Sequence, residues 1–273
     1  MPRWESDLAL AHELADSADA ITLARFGALD LQVSSKPDLT PVTDADQGVE
    51  RAIRAVLAVR RPADAVLGEE FGAAGDGPRR WIVDPVDGTK NFVRGVPVWA
   101  TLIALQDDDQ VTVGVVSAPA LGRRWWAARG QGAHTGPSGG AHRPLRVSAV
   151  GSMADASLSY SSLTGWEEQG RLPGFLDLSR KAWRTRAYGD FWSHVLVAEG
   201  AVDASFEPEV SLWDVAALQV IVEEAGGRFT DLSGTPRPDG GSVVCSNGLL
   251  HDEVLAALTQ NGPGHGRGSA PSC

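Results

Sequence analysis

The sequence predicts an α/β fold built from two sheets with helices laid over them, and three observations carry that prediction. Helix-period apolar patterns open the chain, over residues 8–26 and 49–57. A β-rich stretch follows from Trp99, where WATLIALQ and VTVGVVS flank the acidic turn Asp107-Asp108-Asp109-Gln110 as a hairpin. From Ser157 onward, short strand candidates interleave with helices, the pattern of a sheet covered on its faces.

In chain order, Ser6 is placed to cap a first helix whose apolar face is Leu8, Ala11, Leu14, Ala18, Ile21 and Phe26, with Gly27 as its stop. A polar extended segment with Lys36, Pro37 and Pro41 leads to a second helix. Thr43 and Asp46 form a capping arrangement there, and Val49, Ile53, Val56 and Leu57 form the apolar face. Ala65-Val66-Leu67 reads as a short strand running into Gly68-Glu69-Glu70. The Gly-rich loop GAAGDGP then returns the chain to a neighbouring buried strand, Trp81-Ile82-Val83. Asp84 to Gly88 are expected to break that strand, because proline lacks an N–H and glycine admits positive φ, and a helical turn is expected from Gly88-Thr89.

RRWWAARG is a further strand. The following GQGAHTGPSGG reads as turn chemistry, with His134 and His142 as surface residues. SLSYSSL, AWRTRAY, VDASFE, GRFTDL and SVVCS are strand candidates, and residues 191–199, 213–225 and 249–259 are helix candidates. A change of pattern near residues 148–155 divides an N-terminal lobe, 1–150, from a C-terminal α/β lobe, 151–260. Residues 261–273, rich in Gly, Pro and Ser, read as a disordered tail.

With 24 basic and 35 acidic residues, the formal charge of −11 argues against a nucleic-acid backbone or an anionic membrane as partner. It also repels a phosphorylated substrate unless bound cations invert the local field. The opening segment lacks a signal-peptide core and no window approaches 18 apolar residues. Cys245 and Cys273 make no disulfide framework, so a reducing cytoplasm is the expected location.

Three acidic elements each begin or end an ordered segment. Glu69 and Glu70 end one strand, Asp84 and Asp87 lie three apart past another, and Asp214 opens the helix WDVAALQVIVEEAGG. Hard cations such as Mg²⁺ prefer oxygen ligands of this type. Each element alone has a plainer explanation: a solvated turn, or, for Asp44, Asp46 and Asp214, a complement to a helix dipole. Brought together, they are what a multi-metal phosphoryl-transfer centre requires.

Glu69 in LGEE, the segment WIVDPVDGTKNF and the helix WDVAALQVIVEEAGG resemble the signature set of the inositol monophosphatase-like, Mg²⁺-dependent, lithium-sensitive phosphatases. The resemblance covers everything but the tail. It implies a layered α-β-α-β-α sandwich, a homodimer, and two or three Mg²⁺ ions with Mn²⁺ as a substitute. It implies that Glu69, Asp84 and the Val86 carbonyl hold one ion, that Asp84, Asp87 and Asp214 hold a second, and that Glu69 with water helps hold a third. Thr89 and Asp46 would orient and deprotonate the attacking water, and the Gly88 and Thr89 amides would bind the phosphate of a small monoester.

Specificity is expected from residues 186–209, with Arg186, Asp190 and Glu207 as substrate contacts. L-histidinol phosphate carries an ammonium and an imidazole, both suited to carboxylate partners. YGDFWSH and FEPE are similar to segments of the histidinol-phosphate phosphatase branch. The resemblance thus implies hydrolysis of L-histidinol phosphate in histidine biosynthesis. The alternatives are an inositol-1-phosphate phosphatase of broader specificity, with Asp190 merely a helix cap, and a non-enzymatic metal-binding or assembly protein.

Overall fold

A computed structural model describes residues 4–37 and 39–259; the expected tail at 261–273 lies outside the described residues. The chain runs α1 (Glu5–Arg25), β1 (Val33–Ser35), β2 (Pro41–Thr43), α2 (Asp44–Arg60), β3 (Ala65–Gly68), β4 (Gly72–Ala74), β5 (Arg79–Asp87) and α3 (Thr89–Arg94). The β-rich middle is β6 (Ala100–Asp107), β7 (Gln110–Ala118), β8 (Arg123–Ala128), β9 (Ala133–Gly136) and β10 (Arg143–Pro144). There follow β11 (Ser157–Tyr160), α4 (Leu163–Glu168), α5 (Leu172–Lys181), β12 (Arg184–Arg186), α6 (Asp190–Ala198) and β13 (Ala204–Glu207). The last elements are α7 (Leu212–Glu224), β14 (Arg228–Thr230), β15 (Val243–Ser246) and α8 (His251–Thr259).

Eight strands form one sheet in the order β10-β9-β8-β7-β6-β5-β3-β4, and five form another in the order β12-β11-β13-β15-β14. The layers follow from strand alternation. On β5, Trp81 and Val83 face α1 and α2, joining Leu10, Leu14, Val49 and Ile53 in one core. Ile82, between them, faces the other way, into a core with Val215, Leu218, Ile221 and Val222 of α7. That core also takes Phe229, Val243 and Cys245 from the second sheet, so α7 is buried on every side, as its continuous apolar sequence requires. On the second sheet's far side, Leu158, Phe206 and Val244 pack with Phe175, Leu178, Val254 and Leu258 of α5 and α8. The order is helix, sheet, helix, sheet, helix, the expected sandwich. In chain order the large sheet ends with β10 and the smaller one begins with β11, and α7 gives both sheets one interior.

Four local expectations are corrected. Ser6 is not the cap of α1: the helix starts at Glu5 with Trp4 in the capping position and no side-chain cap, because the Trp4 ring is buried in the core. Residues 133–136 form a strand rather than a turn, with Ala133 and Thr135 buried between paired neighbours β8 and β10. The strand at Trp81 continues through Asp84 to Asp87. Its pairing with β6 skips a register between Asp84 and Asp87, where Pro85 offers no N–H, and the Pro85 carbonyl is taken by Thr101 Oγ1 at 2.7 Å. Helices α4 and α5 occupy residues for which the sequence pattern predicted none. No helix among the described residues is long and apolar enough to cross a membrane.

Candidate active site

Parallel pairing of β3 with β5 sets Gly68 beside Val83, so Glu69 and Asp84 leave adjacent strand ends together. The Glu69 N–H still donates to the Val83 carbonyl at 3.2 Å, which holds the register one residue further. Behind that turn the buried carboxylate of Glu50 accepts from the Glu70 N–H at 2.7 Å and the Phe71 N–H at 3.2 Å. On the β5 side the bulge turns Asp84, the Val86 carbonyl and Asp87 toward one space. Gly88 then has φ +81°, and a Cβ there would meet the Val98 carbonyl at 3.0 Å, so the turn needs glycine.

Two helix caps aim the remaining acids. At α2, Asp46 Oδ2 accepts from the Thr43 N–H at 2.9 Å and from the Thr43 hydroxyl, completing a capping box. Its other oxygen stands 3.3 Å from Thr89 Oγ1, which is 2.9 Å from the Val86 carbonyl. At α7, Ser211 and Asp214 form a second capping box, with the Ser211 N–H 2.7 Å from Asp214 Oδ2. One oxygen each from Asp84, Asp87 and Asp214 lies within 4.8 Å of the others. They line a cavity of about 140 Å³ with Glu69, Thr89, Asp190 and Glu207. A cleft of about 630 Å³, bordered by Lys36, Lys90, Asn91 and Trp213, shares Glu69, Gly88, Thr89, Asp190 and Asp214 with it.

The charges are forced on one another. Burial, then the charges of Glu69, Asp87 and Asp214, push Asp84 well above the usual carboxylate range. Burial and the charges of Asp190 and Asp214 do the same to Asp87, against a 2.7 Å hydrogen bond from the Phe191 N–H. Asp214 is raised to about 7 by burial and by Glu69, Glu207 and Asp190, with the Ser211 N–H opposing. Such a group is stable as anions only with positive charge in its midst. Its all-oxygen donors, without a cysteine or histidine among them, fit a hard divalent cation such as Mg²⁺ better than zinc.

Of the residues expected to act, Glu69, Asp84, Val86, Asp87, Gly88, Thr89, Asp190, Glu207 and Asp214 all line the cavity, and Asp46 reaches it through Thr89. Arg186 does not. It sits exposed on the outer strand β12, and its guanidinium turns back to the Thr185 carbonyl at 2.7 Å. Nor does the Asp190 side chain cap α6: the capping position is Gly189, and the Phe191 N–H goes to Asp87 instead. Asp190 holds φ +50°, a left-handed backbone for a residue with a Cβ, and its carboxylate accepts from Asn91 Nδ2 at 3.2 Å. Strain of this kind persists where the surroundings over-determine it, as at binding sites. Burial and Glu207 raise its pKa to about 6, against His194 and Lys90.

Sequence reasoning passed over Lys36, Asn91 and His194. Lys36 Nζ bridges Glu69 Oε1 at 2.6 Å and Glu70 Oε1 at 2.8 Å, carried there by the β1–β2 hairpin. Burial pulls its pKa down, and the two carboxylates more than reverse that. A lone lysine in an extended polar segment was the only signal for it. Asn91 and His194 lay inside the motifs already singled out, and their partners are distant in sequence.

These features define an α/β protein whose sheet ends and helix caps converge on a buried carboxylate site at the foot of a cleft. The chain belongs to the inositol monophosphatase family, whose model matches residues 3–262. It is 62% identical over 265 residues to a protein of Streptomyces coelicolor named histidinol-phosphatase, covering 95% of this chain and 99% of that one. A Mycobacterium tuberculosis protein of the same name is 60% identical over 253 residues, with 92% and 97% covered. Among solved structures, an inositol monophosphatase from Zymomonas mobilis superposes with a TM-score of 0.84 at 31% identity, over 95% of this chain and all of that one.

Proposed function

We propose that the chain is a Mg²⁺-dependent phosphomonoesterase that converts L-histidinol phosphate and water to L-histidinol and phosphate, a step of histidine biosynthesis. The observation that carries this reading is the convergence of Asp84, Asp87 and Asp214 in a cavity that, besides Glu69, also holds the carboxylates Asp190 and Glu207. The first three suit cations that an anionic ester needs; the other two suit a substrate that brings its own cation. The names borne by the two relatives above agree with it.

Glu69, Asp84, the Val86 carbonyl, Asp87 and Asp214 would hold two or three ions, with Mn²⁺ as a substitute for Mg²⁺. When bound, the metal supplies Lewis acidity at the phosphoryl group and lowers the pKa of water. Thr89 Oγ1 orients the attacking water, and Asp46 Oδ1, 3.3 Å from that hydroxyl, is the acceptor for its proton. The Asp46 pKa is raised by burial, with the Thr43 hydrogen bonds holding it back, which brings it toward the range of a useful base. The Gly88 and Thr89 amides, at the glycine turn into α3, receive phosphate oxygens. Asp190 and Glu207 meet the alcohol portion. A homodimer in the cytoplasm belongs to the same reading; the outer strand β12, with Trp183 beside it 66% exposed, is a surface suited to a second copy.

The test is phosphate release from L-histidinol phosphate, inositol 1-phosphate and fructose 1,6-bisphosphate, each with Mg²⁺, Mn²⁺ or chelator. The expected result is preference for histidinol phosphate, loss of activity in chelator and recovery with either metal. Full activity after exhaustive chelation overturns the metal reading. Preference for inositol 1-phosphate replaces the substrate with the broader alternative.

A further inference from the structure

Asp190 and Glu207 both line the cavity, yet the fold treats them differently. Asp190 accepts a neutral hydrogen bond from Asn91 Nδ2 and has no ion pair among the described residues. Glu207 Oε1 is 3.0 Å from His194 Nε2. His194 is 1% exposed, and its Nδ1 lies 2.9 Å from Ser205 Oγ. Ser205 and Glu207 are two residues apart on β13 and share a face, so one imidazole on α6 reaches both. An ionised carboxylate only accepts, so the proton of that contact sits on Nε2.

We propose that His194 is a specificity-positioning residue: it holds Glu207 Oε1 so that this carboxylate serves as a fixed acceptor for a neutral N–H or O–H of the alcohol portion, and it leaves Asp190 as the partner of the substrate ammonium. The inference rests on the reading of the site as one for a nitrogen-bearing phosphate ester. Glu207 already has a donor on one oxygen, from an α6 imidazole whose other nitrogen is held by Ser205 of the Glu207 strand. Among the described residues Asp190 accepts only from an amide, and it lines the cavity from a left-handed backbone position. A cation meeting both carboxylates gains more from the one that is not yet paired. The arrangement divides the two ends of one small alcohol between two carboxylates three-dimensionally adjacent but chemically unlike. Support from electrostatics is secondary: burial works against a charged His194, while the Cys245 and Glu207 side chains hold its pKa up at about 10.

A double-mutant cycle tests the proposal on the Mg²⁺-loaded enzyme, with L-histidinol phosphate and with p-nitrophenyl phosphate, which has neither ammonium nor imidazole. His194→Leu is expected to raise KM for histidinol phosphate about tenfold with kcat changed less than about threefold. His194→Gln, which keeps a donor, should recover part of that loss. Combining His194→Leu with Glu207→Gln should cost no more than Glu207→Gln alone, because the two act through one contact. Combining it with Asp190→Asn should multiply the single effects. Should His194→Leu fail to fold, Ser205→Ala loosens the same imidazole from its other side, and its cycle with Glu207→Gln should show the same coupling. Multiplying effects between His194 and Glu207, or parallel KM increases on both esters, overturn the role of His194 alone. A wild type that prefers inositol 1-phosphate removes the substrate reading, and with it the assignment of the ammonium to Asp190.

Discussion

Two groups of buried charge in this molecule are balanced in opposite ways. On the α1 side of the large sheet, the Arg124 guanidinium is 2% exposed, ion-paired to Asp16 at 2.8 Å and Asp19 at 2.6 Å, and its Nε donates to Ser117 Oγ at 2.9 Å. At the sheet ends, Asp84, Asp87 and Asp214 face one another, and among the described residues they accept from the backbone N–H groups of Val86, Phe191 and Ser211. In the first group the chain supplies its own cation between two carboxylates, although burial still raises the Asp19 pKa and leaves Asp19 Oδ1 without a hydrogen-bond partner. The second carries like charges in a low-dielectric space and raises each of its own pKa values. A buried cluster for which the chain supplies its own cation is architecture. One that it leaves unneutralised at the foot of an open cleft is built for something that arrives.

The comparison is sharpened most by Asp84→Asn. Activity is expected to fall at least about 10³-fold, since Asp84 is shared between ions in the proposed site. In chelator, however, the variant should melt higher than the wild type, because one of the mutually repelling charges is gone. A lower melting temperature in chelator would mean that the cluster stabilises the fold as Arg124 does.

Arg124→Leu is the converse. It strips the cation from two carboxylates, one of them largely buried, and is expected to cost about 3 kcal/mol in urea unfolding. Turnover of the folded enzyme should stay within about twofold of wild type. A loss of kcat matching that of Asp84→Asn would erase the distinction between the two groups.

Thr89→Ala and Asp46→Asn come next, each expected to lower kcat by about 10²-fold with little change in KM. Asp44→Asn, two residues from Asp46, is the control: Asp44 pairs with Arg25 at 2.8 Å on the outside of the same helix turn. Equal losses from the two aspartates would place the proton acceptor elsewhere. The smallest effect is Asp190→Asn, expected to raise KM for histidinol phosphate about tenfold while kcat moves less. Steady-state kinetics on both candidate esters check it, and equal loss on each would make Asp190 a scaffold residue.

What was legible before folding was local. Thr43 with Asp46 announced a capping box, and Gly88 announced a left-handed turn into a helix. The helix expected over residues 213–225 announced a core-facing stripe, and LGEE, DPVDGTKNF and WDVAALQ carried the resemblance. Each depends on hydrogen bonds or sterics within a few residues, so composition and spacing suffice to read it. The same reasoning erred where burial overrode local preference. Trp4 moved the start of α1, partner strands turned residues 133–136 into β structure, and a bulge carried β5 past Pro85. Only the tertiary structure decided which residues meet across long stretches of chain. It put Lys36 on Glu69, Asn91 on Asp190 and the α6 amide of Phe191 on Asp87, and it sent Arg186 out to solvent. Those contacts join residues 33 to 104 positions apart, or depend on which strand lies at a sheet edge. No local propensity encodes such a distance; the pairing of strands and the packing of helices on them do.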